Sequence, residues 1–195
     1  MGQFNGKTVV VTGGGGGIGG AACRGFAQAG AKVAVFDMNL ASAEKVAQAI
    51  RDAGGQALAL ACDITDRAAV DALVGSLGSL DAVVNSAGLI RRDAEHDPDV
   101  FAQVMDVNVN GGMRVSAAAR PLLAKSRGAI VFIGSVMSFF GGPKQPAYSA
   151  SKGAVRNLTM SLAAAYAADG IRVNAVAPGW VVTELSRGAR ENPER

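Results

Sequence analysis

Six short runs rich in β-branched and apolar residues recur along the chain, and Ala-rich stretches separate them. The runs are KTVVVT (7–12), KVAVFD (32–37), QALALAC (56–62), LDAVVN (80–85), AIVFIG (129–134) and IRVNAVA (171–177). Near-continuous apolar strands are covered on both faces, which predicts a parallel sheet flanked by helices. The intervening stretches supply them: GGAACRGFAQAG, ASAEKVAQAIRDAGG, DRAAVDALVGSL, a long segment over 98–125, and SASKGAVRNLTMSLAAAYAADG. Strand–helix alternation with short connectors predicts a doubly wound α/β fold. No linker interrupts the pattern, and 195 residues at 49% hydrophobic content suit one domain, 1–195, with a sizeable core.

In such a sheet, ligands bind outside the carboxyl ends of the strands. The residues there are Gly13 to Gly19, Asp37, Asp63, Asn85 to Gly88, Ser135 and Pro178–Gly179. The stretch TGGGGGIGG, Thr12 to Gly20, joins the first strand to the first helix. Side chains at this turn would block a pyrophosphate from the free N–H groups of the helix N-terminus. Asp37 ends the second strand 18 residues after Gly19, the spacing of a carboxylate that accepts from the adenosine ribose hydroxyls. Together these features predict a Rossmann-type dinucleotide site. A carboxylate at this place repels a 2′-phosphate, and neither DMNL nor the glycine loop holds a Lys or Arg, so NAD is expected rather than NADP.

Other classes are disfavoured. A net charge of +3, with arginines spread along the chain, is too mild for a nucleic-acid partner. Cys23 and Cys62 sit in no C-x-x-C pattern, and one histidine, His96, makes no metal cluster, so no disulfide framework and no metal are expected. His96 lies in EHDPD, which reads as a polar helix start. The N-terminus lacks a signal-peptide pattern, and Gly6 stands where a myristoylation signal needs Ser or Thr. The longest apolar run, AIVFIGSVMSFFGG, is too short to span a bilayer. A soluble protein of the reducing cytoplasm, off the membrane, is the expectation.

Read as T-G-x-x-x-G-I-G, with Thr12, Gly13, Gly17, Ile18 and Gly19, the loop resembles that of the short-chain dehydrogenase/reductase family. The resemblance runs the length of the chain. Asp63 in CDIT is similar to the family's aspartate near the adenine, and NSAG (Asn85, Ser86, Ala87, Gly88) to its N-N-A-G, with Ser86 a departure. Asn108 in NVNG resembles the family's N-x-x-G asparagine, and Ser135, Tyr148 and Lys152 its serine and Y-x-x-x-K set. PGWVVT, with Pro178, Gly179, Val181 and Thr183, resembles the segment beside the nicotinamide. Family members continue beyond RENPER with more of the substrate loop, more helix and a last strand. The resemblance therefore predicts a chain short of its last strand, with its sixth strand an unpaired edge. It also implies a homodimer or homotetramer for the full-length form, through the helices around 105–125 and 149–169.

Tyr148 and Lys152 are spaced i, i+4, so both project to one side of a helix. Lowering a phenol pKa from about 10 to about 7 takes about 4 kcal/mol, which an ammonium about 4 Å away supplies at an effective dielectric constant near 20. Tyr148 then takes the hydroxyl proton of a secondary alcohol as hydride leaves for NAD, while Ser135 holds the substrate oxygen. The resemblance adds that Lys152 anchors the nicotinamide ribose and that Asn108 holds a water leading to solvent. GLIRR (88–92) and SFFGGPKQPAYSASK (138–152) resemble the branch acting on sugar acids, the gluconate 5-dehydrogenases and 2-dehydro-3-deoxy-gluconate 5-dehydrogenases. Arg91 or Arg92 would fork onto a substrate carboxylate there, or lie solvated on the surface. Gln145 and Trp180 are further pocket candidates. A 3-oxoacyl-thioester reductase, a small alcohol dehydrogenase and a non-catalytic dinucleotide-binding protein are the competing readings.

Overall fold

The computed structural model describes residues 2–187. Six strands form one wholly parallel sheet: β1 (Thr8–Thr12), β2 (Lys32–Asp37), β3 (Gln56–Ala61), β4 (Ala82–Asn85), β5 (Ala129–Ile133) and β6 (Arg172–Val176). Their order is β3-β2-β1-β4-β5-β6, so the winding reverses between β1 and β4. That switch point opens a crevice at the carboxyl ends of the two strands. Each predicted strand is present, shortened by one or two residues at the ends, except β2, which matches its prediction.

The helices are α1 (Gly17–Gln28), α2 (Leu40–Asp52), α3 (Arg67–Gly75), α4 (Pro98–Met105), α5 (Gly112–Ser126) and α6 (Pro146–Tyr166). Short polar side chains start three of them. Asn39 accepts from the Ser42 N–H, Asp66 from that of Ala69, and Asp97 from those of Asp99 and Val100. Such caps satisfy N–H groups that have no partner within the helix. EHDPD does hold a helix start at Asp97–Pro98, but its first residue, Glu95, is buried inside the protein. The long segment over 98–125 is not a uniform helix: a π-helical turn at Asp106–Gly111 joins α4 to α5. The last predicted helix begins earlier than expected, at Pro146, because a proline at the first helical position loses no hydrogen bond.

The core lies in two layers. On one face Val10, Phe36, Val83, Ile130 and Phe132 pack with α3, α5 and α6, through Val74, Val115, Leu123 and Val155 among others. On the other face Val9, Val11, Val33 and Val35 pack with α1 and α2, through Cys23, Val46 and Ile50. The expectation that every strand is covered on both faces fails at the edges. Leu58 on β3 and Val176 on β6 are exposed, since each of these strands has one neighbour among the described residues. Cys23 and Cys62 are free and buried, and burial pushes their thiols up to about 12 and about 11. No described helix is long and apolar enough to cross a membrane.

Candidate active site

A cleft of about 330 Å³ opens at the carboxyl ends of the strands, over the switch point. The glycine turn after β1 contributes Gly13, Gly17, Ile18 and Gly19, and Asp37 closes β2 beside it. Ala87 and Gly88 follow β4, and Ser135 follows β5. Gln145, Tyr148 and Lys152 face it from α6 and the residue before that helix. Pro178, Gly179, Trp180, Val181 and Thr183 close it from the segment after β6.

The glycines answer to packing as well as to a ligand. Gly13 has φ +62°, and a Cβ there would lie 2.7 Å from the Ala87 Cα. A Cβ on Gly19 would lie 2.2 Å from the Gly13 carbonyl oxygen. The first strand and the fourth are thereby brought together, and the Thr12 hydroxyl accepts from the N–H groups of Ser86 and Ala87, both at 3.2 Å. The departure at Ser86 leaves this brace intact, because the backbone makes it. Gly16 caps α1 with no side chain, so the first N–H groups of a 12-residue helix face the cleft. Asp37 accepts from the Gly15 N–H at 3.0 Å and the Asn39 N–H at 2.9 Å, which fixes its carboxylate at the cleft rim. Helix N-terminus, glycine turn and placed carboxylate fit a dinucleotide: the first two would hold the pyrophosphate and Asp37 the adenosine ribose.

Ser135, Tyr148 and Lys152 converge on the inner end of the cleft. Ser135 is buried and lines the cleft with the Tyr148 phenol. Ser135 Oγ also accepts from the Met137 N–H at 3.1 Å, which starts a short 3₁₀ turn over Val136–Ser138. Val136 N–H donates to the Pro178 carbonyl, tying this turn to the segment after β6. Burial raises the Tyr148 phenol above its ordinary value. The Ser135 hydrogen bond and then the Arg92 charge pull it back, and Glu95 opposes them. The expected tuner, Lys152, is placed differently. Its Nζ donates to the Ile133 carbonyl at 2.8 Å and lies 5.5 Å from the Tyr148 ring centre. Burial pushes the Lys152 ammonium down to about 8. In this geometry Ser135 and Arg92 draw the phenol down.

Several expected site residues stand behind the cleft instead of lining it. Asn85 is buried, and its Nδ2 donates to the Ser116 hydroxyl at 3.1 Å, so it joins β4 to α5. Asp63 accepts from the Thr65 N–H and hydroxyl in a tight exposed turn after β3. Asn108 lies in the π-helical turn and pairs with the Leu89 backbone in both directions, at 2.6 and 2.9 Å, and donates to the Ser151 hydroxyl at 2.9 Å. It clamps the loop that carries the arginines. Of those, Arg91 is exposed and outside the cleft, whereas Arg92 lines it beside Tyr148; the candidate carboxylate ligand is therefore Arg92 and not Arg91. The sequence reading passed over Glu95, whose two oxygens accept from the Arg91 and Tyr148 N–H groups at 2.7 Å each. An isolated Glu in a polar stretch carries no sign that it will be buried.

The chain matches the family model described as short chain dehydrogenase over residues 7–194. Galactitol 2-dehydrogenase (L-tagatose-forming) of Cereibacter sphaeroides is 41% identical, over 98% of this chain and 78% of that protein. The 2-dehydro-3-deoxy-D-gluconate 5-dehydrogenase of Pseudoalteromonas atlantica is 36% identical, over 99% of this chain and 79% of that protein. A gluconate 5-dehydrogenase structure from Burkholderia cenocepacia, in complex with NADP and tartrate, superposes with a TM-score of 0.89 at 36% identity, covering 97% of this chain and 77% of its own. The dinucleotide cleft, the sequence match along this chain and the shared fold place it in the short-chain dehydrogenase/reductase family, as an NAD(P)-dependent oxidoreductase.

Proposed function

We propose that the protein oxidises a secondary hydroxyl of a sugar acid with NAD, or runs the reverse ketone reduction. The observation that carries the substrate class is Arg92, which lines the cleft next to the Tyr148 phenol. A guanidinium there presents a planar pair of donors to a carboxylate, which fixes the hydroxyl-bearing carbon at a set distance from the phenol. The Burkholderia relative's complex with tartrate, a hydroxy acid, supports this reading. The bound dinucleotide supplies the hydride acceptor. Tyr148 removes the hydroxyl proton, and Ser135 donates to the substrate oxygen and keeps it against Tyr148. Lys152 would hold the ribose next to the nicotinamide, Pro178, Gly179, Val181 and Thr183 would flank the nicotinamide, and Gln145 and Trp180 would border the substrate space. Asn85 and Asn108 support these groups from behind, and Asp63 would stand on the adenine side.

NAD is favoured over NADP by this chain's own residues, whatever its relatives carry. The carboxylate of Asp37 lies at the cleft rim, and exposed Met38 follows it where a 2′-phosphate would need a cation. Pairing of two copies through the outer faces of α5 and α6, where Met160 is exposed, belongs to the same proposal.

The test is NADH formation across hexonic acids and the matching uncharged alditols. Sugar acids should be preferred by at least tenfold in kcat/KM, and Arg92→Leu should remove that preference by raising the KM for acids alone. Alditols used by wild type at least as well as the acids, with Arg92→Leu changing neither, would instead favour a polyol substrate, as in the galactitol dehydrogenase. Tyr148→Phe should lower kcat by about 10²–10⁴ with cofactor binding retained. Asp37→Ala combined with Met38→Arg should turn the preference toward NADP; tighter binding of NADP than NAD by the unmodified protein would defeat the Asp37 argument.

A further inference from the structure

Glu95 is 1% exposed, yet it lies on the polar loop between β4 and α4. One oxygen accepts from the Arg91 N–H and the other from the Tyr148 N–H, both at 2.7 Å. The second bond solves a problem in α6. That helix starts at Pro146 with Gln145 before it, and the Gln145 side chain makes no capping bond. Ser149 N–H is already bonded to the Gln145 carbonyl, so the Tyr148 N–H is left over from the first turn. Glu95 supplies the missing cap from 53 residues away, and the helix dipole favours a negative charge at that end. The same loop is stitched to the chain ahead of α6 at two more points. Asp93 N–H donates to the Lys144 carbonyl at 2.7 Å, and the His96 ring is bonded to the Pro143 carbonyl at 3.0 Å.

We propose that Glu95 is a positioning residue for the reaction: one buried carboxylate sets the backbone of Tyr148 and of the Arg91–Arg92 turn together, and so fixes the distance between the phenol and the guanidinium across the substrate. The assignment rests on Tyr148 being the acid–base group. It goes beyond capping, because it joins Tyr148 to Arg91, the neighbour of Arg92, and Tyr148 and Arg92 would grip the reacting hydroxyl and the carboxylate of one substrate. The Tyr148 phenol faces Arg92 and Glu95 from this loop, Ser135 from the end of β5 and Lys152 from its own helix. Among these, the Glu95 charge disfavours the phenolate. Replacing that charge by a neutral amide therefore lets the phenol ionise at lower pH, while the lost bond lets it drift.

The experiment uses Glu95→Gln, which keeps the shape, and Glu95→Ala. The chain has two tyrosines, Tyr148 and Tyr166, so ¹⁵N-tyrosine labelling gives two backbone amide signals. In Glu95→Gln the Tyr148 signal should move upfield and exchange with solvent about tenfold faster, with Tyr166 unmoved. That reading is independent of any substrate. In turnover with the hexonic acid of highest kcat/KM in that screen, kcat should fall about tenfold in Glu95→Gln and further in Glu95→Ala, with the cofactor KM within twofold of wild type. The acid limb of the Glu95→Gln pH profile for oxidation should lie at lower pH than that of wild type. An unmoved Tyr148 amide overturns the proposal, as does a moved amide with unchanged kcat. Equal losses in kcat and cofactor affinity, or failure of both variants to fold, would make Glu95 a general fold residue and overturn it too. Turnover retained in Tyr148→Phe would defeat the acid–base reading instead, whatever the Tyr148 amide shows.

Discussion

At the scale of single residues, the site is a set of polar groups that the fold accepts at a cost. Lys152 is the clearest case. It is buried on α6, bonded to the Ile133 carbonyl, and burial pushes its ammonium down from 10.5 to about 8. Between these two values the unfolded chain binds a proton that the folded chain does not. Stability therefore rises with pH through this window, and below about 8 the full cost of the buried charge is present. About 2.5 pH units correspond to about 3 kcal/mol. Lys152→Met, which keeps the length and removes the charge, should be more stable than wild type by up to about 3 kcal/mol at pH 7 and should lose that advantage by about pH 10.5. Urea unfolding at pH 7 and at pH 10.5 measures the difference. A variant less stable at pH 7 would mean that the ammonium is compensated in the fold.

At the scale of elements, the turn between β1 and α1 is the most constrained piece of backbone. Gly13 takes φ +62° and sits against the Ala87 Cα, which is backbone and cannot rotate away. Gly13→Ala should therefore cost more than the about 1–2 kcal/mol of a left-handed alanine. It should also weaken dinucleotide binding, because the turn moves relative to β4. Gly17 offers a control: its Cβ would meet the Thr183 side chain, which can shift, so Gly17→Ala should cost less stability. Thermal unfolding of the two variants, with and without NAD, orders them; an equal or smaller loss in Gly13→Ala would remove the packing argument. This turn was readable in the sequence because the requirement is local: a β-branched run, glycines, then a helical stretch, with Asp37 ending the next strand. The six strands were readable for the same reason. The π-helical turn at Asp106–Gly111 was not, since it places Asn108 on the Leu89 backbone, a contact made by tertiary structure. Nor were Glu95 and the choice between Arg91 and Arg92. Adjacent residues point in different directions, and only the path of the loop decides which of them enters the cleft.

At the scale of the whole molecule, the sheet ends in two edge strands among the described residues, β3 and β6. β1 and β4 lie at the centre with helices on both faces, whereas β6 pairs with β5 alone among the described residues. The ladder leaves a defined set of backbone groups on its outer side. Arg172 N–H donates to the Gly128 carbonyl, and the Val176 carbonyl accepts from the Gly134 N–H. By the alternation of a parallel ladder, Arg172, Asn174 and Val176 face β5, and the N–H groups of Val173 and Ala175 face outward. Val176 adds an exposed apolar side chain at 55% exposure, so both backbone and side chain favour adding another strand. The 195-residue chain should accordingly associate through β6 as its concentration rises. Ala175→Pro removes one outward N–H and no bond to β5, because proline has none to donate. It should reduce that association, read by light scattering, while leaving the melting temperature close to that of wild type. Asn174→Pro, which takes its N–H from the β5 ladder, should instead destabilise the fold. Undiminished association in a folded Ala175→Pro protein would place the contact elsewhere, with the outer faces of α5 and α6 the next surface to test. The pairing of a strand edge and the pairing of helices are separable in this way because the first needs backbone N–H groups and the second needs only side chains.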